Sequence, residues 1–134
     1  MQTVLDTLSA LRWDIVIILG ATGIIMALLS SLVGMRQKVE IPLWWLLYAV
    51  WIVVVILMQL ESVFWTILMA SLAAGILHAI TQSILLDRYI KNNPWYADKM
   101  TGPKSKMRMM FLIMGIIIGA GFGAIVGGIA LIFS

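Results

Sequence analysis

Long apolar runs alternate with short polar segments along this chain. Four runs lack Asp, Glu, Lys and Arg altogether: residues 15–33, 41–60, 62–86 and 109–133. About 20 apolar residues cross a hydrocarbon core of about 30 Å, so each run is long enough for one transmembrane helix. The strands of a closed barrel would instead alternate apolar with polar residues, which these runs do not. The pattern predicts four membrane-spanning helices.

The breaks between the runs set the connections. Glu61 is the single charge between residues 41 and 86, and it marks a tight turn between the second and third helices. Pro42 is expected at the start of the second helix, where its missing N–H is harmless. Pro94 and Pro103 interrupt the chain before the fourth helix. We therefore expect an all-α fold, an integral membrane four-helix antiparallel bundle forming a single domain over residues 1–134.

Composition agrees with a membrane class. Apolar residues make up 63% of the chain, charged residues 11%, and the mean hydropathy is +1.08, whereas soluble domains carry about 25% charged residues. There is no cysteine, which excludes disulfides, thiol catalysis and thiolate metal sites. No basic motif typical of nucleic-acid binding is present, so no nucleic-acid partner is expected.

The basic residues predict the orientation of the chain. Eight of nine lie in the connection between the first two runs or in the segment 87–108, and only Arg12 lies on the opposite side. Because positive loops stay cytoplasmic, we expect both termini outside, with the first run retained as a span, in what we take to be a prokaryotic plasma membrane. The basic connection should contact anionic lipid headgroups; a docking site for a protein partner is the alternative. The residues expected at the headgroups are Lys91, Lys99, Lys104, Lys106 and Arg108.

A short amphipathic helix is expected before the first span. Val4, Leu5, Leu8 and Leu11 recur at helical spacing opposite polar residues. Such a helix would lie on the outer membrane surface. A frayed terminus is the alternative.

Small residues predict where helices meet, because helices in lipid associate by close packing. In the fourth run one glycine set repeats every four residues, and a second small set lies roughly opposite. Two close neighbours are therefore expected, either two sister helices or one sister helix and a second protomer. The first set is Gly115, Gly119, Gly123 and Gly127; the second is Gly121, Ala124 and Gly128.

The aromatic residues of the second run share one face. Trp44, Tyr48 and Trp51 are spaced i, i+4, i+7. We interpret this face as a lipid-facing aromatic belt, with an aromatic ligand pocket as the alternative.

The third run carries the main polar locus. Ser71, His78, Gln82 and Tyr89 fall on one side of a helical wheel, together with Gly75. Unsatisfied polar groups are costly in hydrocarbon, so this seam should face other helices or water. An interhelical hydrogen-bond network is the leading interpretation. A permeation path comes second, and a metal or haem ligand shared between protomers comes third.

These features do not indicate an enzyme. No nucleophile, acid–base pair or metal-ligand cluster is recognisable, the acidic residues are expected in tails, turns or loops, and no cofactor is expected. A coupled transporter is disfavoured because no acidic or basic residue is expected at mid-span. We therefore expect a structural or accessory membrane protein that assembles with itself or a partner. The alternative is a homo-oligomeric channel or uncoupled permease that uses the polar seam.

Overall fold

The computed structural model describes residues 3–134, and this part of the chain is mostly helical with no β-strand. Four of its helices are long and apolar enough to span a membrane, when the first is counted through its terminal π turn. The helices are α1 (Val4–Ser9), α2 (Trp13–Leu28), α3 (Gln37–Leu57), α4 (Val63–Ile84), α5 (Leu86–Asn92) and α6 (Lys104–Phe133); α2 continues into a π-helical turn, Leu29–Val33, and a 3₁₀ turn, Pro94–Lys99, follows α5.

Several boundaries differ from the sequence expectation. Helix α3 begins at Gln37, so Pro42 lies inside the helix and does not mark its start. The third run does not continue to residue 86, because the helix ends at Ile84 and a new short helix begins two residues later. Helix α6 begins at Lys104, five residues before the fourth apolar run, and its N-cap residue Pro103 has extended backbone and no side-chain cap.

The N-terminal helix α1 is short and exposed. Thr3 and Asp6 form a capping box, in which each side chain accepts a hydrogen bond from the other residue's backbone N–H. None of the helix residues is buried. The expected helix is therefore present, but it is held by its cap more than by packing.

Helix α4 lies at the centre, between α2 and α6. Small residues allow the close approach on the α2 side: a Cβ added at Gly20 would lie 2.8 Å from Ala73 Cβ, and one at Gly23 would lie 2.8 Å from Ala74 Cα. Residues with higher numbers in α2 contact residues with higher numbers in α4, so the two helices run parallel.

Glycines also line the contact between α4 and α6. A Cβ added at Gly119 would lie 2.8 Å from Ser71 O, and one at Gly127 would lie 3.0 Å from Phe64. Residues with higher numbers in α6 contact residues with lower numbers in α4, so these two helices run in opposite directions. The whole four-residue glycine repeat of α6 faces α4.

The second small-residue set has no such neighbour. Within residues 3–134, no atom outside the local helix lies within 4 Å of a Cβ built at Gly121 or Gly128, and Ala124 is exposed. Among residues 3–134, therefore, no second sister helix packs closely against this side of α6, and the alternative of a second protomer there stays a prediction.

Helix α3 packs through large aromatic side chains. Tyr48 is 5% exposed and Trp51 is 1% exposed, and both belong to the apolar core that also includes Val16, Ile67 and Val126. The interpretation of this face as lipid-facing is therefore wrong, because the side chains fill the space between α3 and the other helices. Their bulk separates α3 from the close-packed group formed by α2, α4 and α6.

The connection after α4 is built into the fold by two asparagines. Asn93 is fully buried; its Nδ2 donates to Ser30 O at 2.8 Å and to Tyr89 O at 2.7 Å, and its Oδ1 accepts from Met35 N at 3.1 Å. Asn92 Nδ2 donates to Ser31 O at 2.8 Å. Carbonyls at a helix C-terminus lack intrahelical partners, so these amides cap the end of the first long helix.

Gly34 ends the π turn with a φ of +86°. That backbone conformation favours glycine, and an added Cβ would also overlap Asn92 O. The chain reversal and the asparagine cap therefore depend on the same small residue.

Candidate functional site

A cavity of about 470 Å³ lies between α3, α4 and α6 and is bounded at one end by α5 and the 3₁₀ turn. The aromatic bulk of α3 creates it, because α3 is held away from the close-packed helices at this level. The lining side chains that carry polar atoms are Gln37, Glu40, Trp44, Trp45, Tyr48, Ser71, His78, Gln82, Tyr89 and Tyr96.

The polar seam predicted on α4 lines this cavity. Ser71, His78 and Gln82 come from α4 itself, and Tyr89 comes from α5. Ser71 Oγ and Tyr48 Oη form a 2.8 Å hydrogen bond between α4 and α3. Gln82 Nε2 donates to Ser30 Oγ at 3.1 Å, which connects α4 to the π turn. The seam residues therefore have two roles in this fold: they bond to neighbouring helices, and they form the polar wall of a cavity.

His78 has a defined hydrogen-bonding arrangement. Its Nδ1 lies 3.2 Å from Gly23 O, and since a carbonyl only accepts, Nδ1 carries the proton in this contact. In the neutral ring Nε2 is then an acceptor. The ring also lies edge-on to Trp44, with centroids 5.5 Å apart.

Two stacked rings form the inner end of the cavity. Tyr48 and Phe122 lie with centroids 6.1 Å apart and planes 5° from parallel, and Trp45 meets Phe122 edge-on at 5.6 Å. Beyond this pair the apolar core closes the space with Trp51 and Val126. At about 1.5 Å per residue, the eleven steps from Gln37 to Tyr48 give a depth of about 17 Å, roughly half the thickness of a hydrocarbon core of about 30 Å.

The other end of the cavity carries its acidic group. Glu40 is half-buried in the first turn of α3 and lines the cavity with Tyr89 and Tyr96. Burial raises the pKa of both tyrosine hydroxyls, and the negative charge of Glu40 raises each pKa further. The expectation that every acidic residue lies in a tail, turn or loop is therefore wrong for Glu40.

Exposed side chains also line the gap between α3 and α6. Ile41 and Trp45 belong to α3, and Met114 and Ile118 belong to α6; all four line the cavity and are exposed on the outside of the molecule. The cavity thus has a lateral face of apolar side chains.

The residues expected at lipid headgroups lie outside the cavity. Lys91, Lys99, Lys104, Lys106 and Arg108 are all exposed. Lys104 forms an ion pair with Asp87, whose pKa is lowered by this hydrogen bond and charge. Arg108 Nε donates to Ser83 O at 3.1 Å, at the end of α4. Arg36 lies over the Trp95 ring, 5.0 Å from its centroid.

Among the described residues, no three His, Asp or Glu side chains lie close enough together to hold a metal ion.

Sequence reasoning missed several contributors to the site, among them Glu40, Tyr96 and Phe122. One signal was available, because Gln37, Glu40, Trp44 and Tyr48 recur at helical spacing once the helix is started at Gln37. Phe122 gave no such signal, since its role depends on the pairing of α3 with α6.

Comparison of the chain with protein-family models, with curated proteins and with solved structures finds no match. The fold and the cavity therefore carry the functional argument alone.

Proposed function

We propose that the four long helices cross a membrane as an antiparallel bundle, with both termini outside and the segment 87–108 on the cytoplasmic side. The four helices of membrane-spanning length support this, and the distribution of basic residues supports the orientation. In this arrangement the exposed Lys91, Lys99 and Lys106 lie at anionic headgroups, and the cavity opens toward the cytoplasmic half of the bilayer.

Within that membrane we propose that the protein binds a small organic molecule, as an uncoupled permease or carrier. The observation that carries this proposal is the cavity, about 470 Å³ in volume and lined by the polar seam and by aromatic rings. Ligand sites are usually concave, mainly apolar and supplied with a few polar groups that fix orientation. A protein that only packs against partners needs no such space.

The inner end of the cavity supplies the barrier that a permease requires. The Tyr48–Phe122 pair and the core beyond it close the path about halfway through the bundle. Passage of a solute then requires these rings to separate, and the Tyr48–Ser71 hydrogen bond is the contact that holds Tyr48 in place. In this conformation the cavity is open toward the end of the bundle where the basic residues lie and closed toward the other end.

A matched pair of substitutions on α6 tests the site. Ile118 lines the cavity and Ile117 does not, although both are exposed apolar residues of the same helix. We expect Ile118→Trp to fill part of the cavity and to abolish binding of small aromatic molecules in nanodiscs, measured by equilibrium dialysis against empty nanodiscs. Ile117→Trp should bind as the wild type does. Equal binding by both variants would exclude the cavity as the site.

A second candidate function is assembly with another membrane subunit or with a second copy. The observation in its favour is the small-residue face of α6, where Gly121 and Gly128 have open space beside them within the described chain. Helices in lipid approach closely at such faces. Gly121→Leu would then abolish a defined oligomer or heterocomplex in native mass spectrometry, whereas an unchanged mass would dismiss this function.

A further inference from the structure

The charge distribution of the cavity wall has one sign. Among the described residues, Glu40 is the only Asp or Glu that lines the cavity, and no Lys or Arg lines it. Among residues 3–134 the ion pairs are Arg12–Asp14 and Lys104–Asp87, so Glu40 takes part in neither. A half-buried carboxylate without a counter-ion is costly, because water is partly excluded and no positive group replaces it.

The basic residues beside Glu40 do not supply that counter-ion. Lys38, two residues earlier in α3, is exposed and forms no ion pair among the described residues. Arg36 stands one helical turn before Glu40, but its guanidinium lies over Trp95, 5.0 Å from the ring centroid. The helix N-terminus favours an acidic residue at this position, which accounts for a carboxylate in the first turn. It does not account for a carboxylate that faces a cavity lined by aromatic rings.

The aromatic rings of the cavity also attract positive charge. Trp44, one turn after Glu40, lines the same cavity, and Tyr89 and Tyr96 approach from α5 and the 3₁₀ turn. The face of an aromatic ring is electronegative, and rings arranged around a site bind quaternary ammonium groups. A carboxylate and several rings that line the same cavity thus favour positive charge, while the apolar lateral face accepts hydrocarbon.

We propose that the ligand of this cavity is an organic cation with an apolar body, and that Glu40 together with the surrounding rings binds its charged group. This inference rests on the proposed function, because it names the ligand class for the same cavity. The cationic group lies at the Glu40 end, and the apolar body lies between α3 and α6 toward Phe122. The exposed Ile41, Met114 and Ile118 provide an entry from the lipid side.

The test uses two probes of the same shape and different charge. Benzyltrimethylammonium and neopentylbenzene differ only by nitrogen in place of carbon at the branched centre, so their size is matched. Binding of each to the full chain in zwitterionic nanodiscs is measured by equilibrium dialysis, with empty nanodiscs as the blank. We expect the wild type to bind the ammonium probe about tenfold more tightly or better, which corresponds to about 1.4 kcal/mol.

Two acid-to-amide variants assign that preference. Glu40→Gln should lower the ratio of the two affinities, with the rings retaining a smaller preference, whereas Glu61→Gln, which changes an exposed glutamate outside the cavity, should leave the ratio unchanged. The ratio is measured within one preparation, so a smaller folded fraction does not alter it. A ratio that Glu40→Gln leaves unchanged would overturn the assignment of Glu40.

The two proposals fail in different ways. If both probes bind equally to the wild type and both are lost in Ile118→Trp, the cavity is a binding site but the cation inference is wrong. If neither probe binds the wild type, the cation inference falls. If, in addition, a panel of neutral aromatic molecules shows no loss of binding in Ile118→Trp, the proposed function falls with it.

Discussion

Replacement of Asn93 tests how the basic connection is attached to the bundle. Its side chain makes three hydrogen bonds in a fully buried position, to Ser30 O, Tyr89 O and Met35 N. Asn93→Ala leaves two carbonyls and one N–H without this partner. Each buried unsatisfied group costs about 1–3 kcal/mol, and partial relaxation lowers the sum, so we expect the free energy of unfolding to fall by about 3 kcal/mol.

Two further variants separate the donors from the acceptor. Asn93→Asp keeps an oxygen for Met35 N but places the other oxygen against two carbonyls, so it should destabilise at least as much as alanine does. The Met35 amide should stay protected from hydrogen exchange in the aspartate variant and lose protection in the alanine variant. Asn92→Ala, at a partly exposed site, should cost less because water can replace its bonds.

The assay is reversible unfolding in mixed micelles with increasing dodecyl sulfate, followed by circular dichroism, together with amide exchange by NMR. The reasoning would be refuted if Asn93→Ala and Asn93→Asp both unfolded within about 0.5 kcal/mol of the wild type, the range typical of neutral surface substitutions. It would also be refuted if Asn92→Ala were the most damaging of the three variants.

Three other substitutions test packing, the cavity floor and the surface ion pair. Gly119→Leu should destabilise by about 1–3 kcal/mol in the same assay, because overpacked contacts cost about that much and an added Cβ would lie 2.8 Å from Ser71 O; Gly121→Leu, with no neighbour within 4 Å in the described chain, should leave unfolding unchanged. Ser71→Ala should cost about 1–2 kcal/mol by leaving the Tyr48 hydroxyl unpartnered, and a double-mutant cycle with Tyr48→Phe should recover part of that cost. Pairing with Lys104 lowers the pKa of Asp87, so this ion pair stabilises the fold at pH values above the ordinary pKa of 3.8, and the stabilisation is lost as the pH falls below that value. Asp87→Asn should remove this part of the acid dependence of the melting temperature, while Asp98→Asn should not.

The number and approximate positions of the long helices could be predicted from sequence because hydropathy and length decide them locally. The same holds for the small-residue face of α6, since four glycines at a four-residue spacing indicate close packing whatever the partner is. The partner was not predictable: α4 meets the glycines of both α2 and α6, and nothing local specifies which helix lies at the centre.

The aromatic face of α3 shows why the site itself was harder to predict. Trp44, Tyr48 and Trp51 have the spacing of an interfacial belt and equally the spacing of a buried wall. Which of the two applies depends on whether the face contacts rings of other helices or lipid. Here Tyr48 stacks on Phe122, which is more than 70 residues away in the sequence. Asn93 is a similar case, because its role as a cap depends on the carbonyl of Ser30, 63 residues earlier.

Close packing and the cavity have a common origin in this fold. Glycines and alanines draw α2, α4 and α6 together, while indole and phenol rings keep α3 apart from them. A bundle with small residues on every face would have no space for a ligand, and one with rings on every face would lack a rigid wall.

The two kinds of surface meet at Ser71, whose Cβ packs against Gly123 and whose hydroxyl holds Tyr48. A change on the α4–α6 contact should therefore alter ligand affinity through the position of Tyr48. Gly123→Ala, in which the new Cβ would lie 2.9 Å from Ser71 Cβ, should weaken binding of a cavity ligand even though residue 123 does not line the cavity. Unchanged affinity in that variant, with its expected loss of stability, would show that the packed face and the binding face act independently.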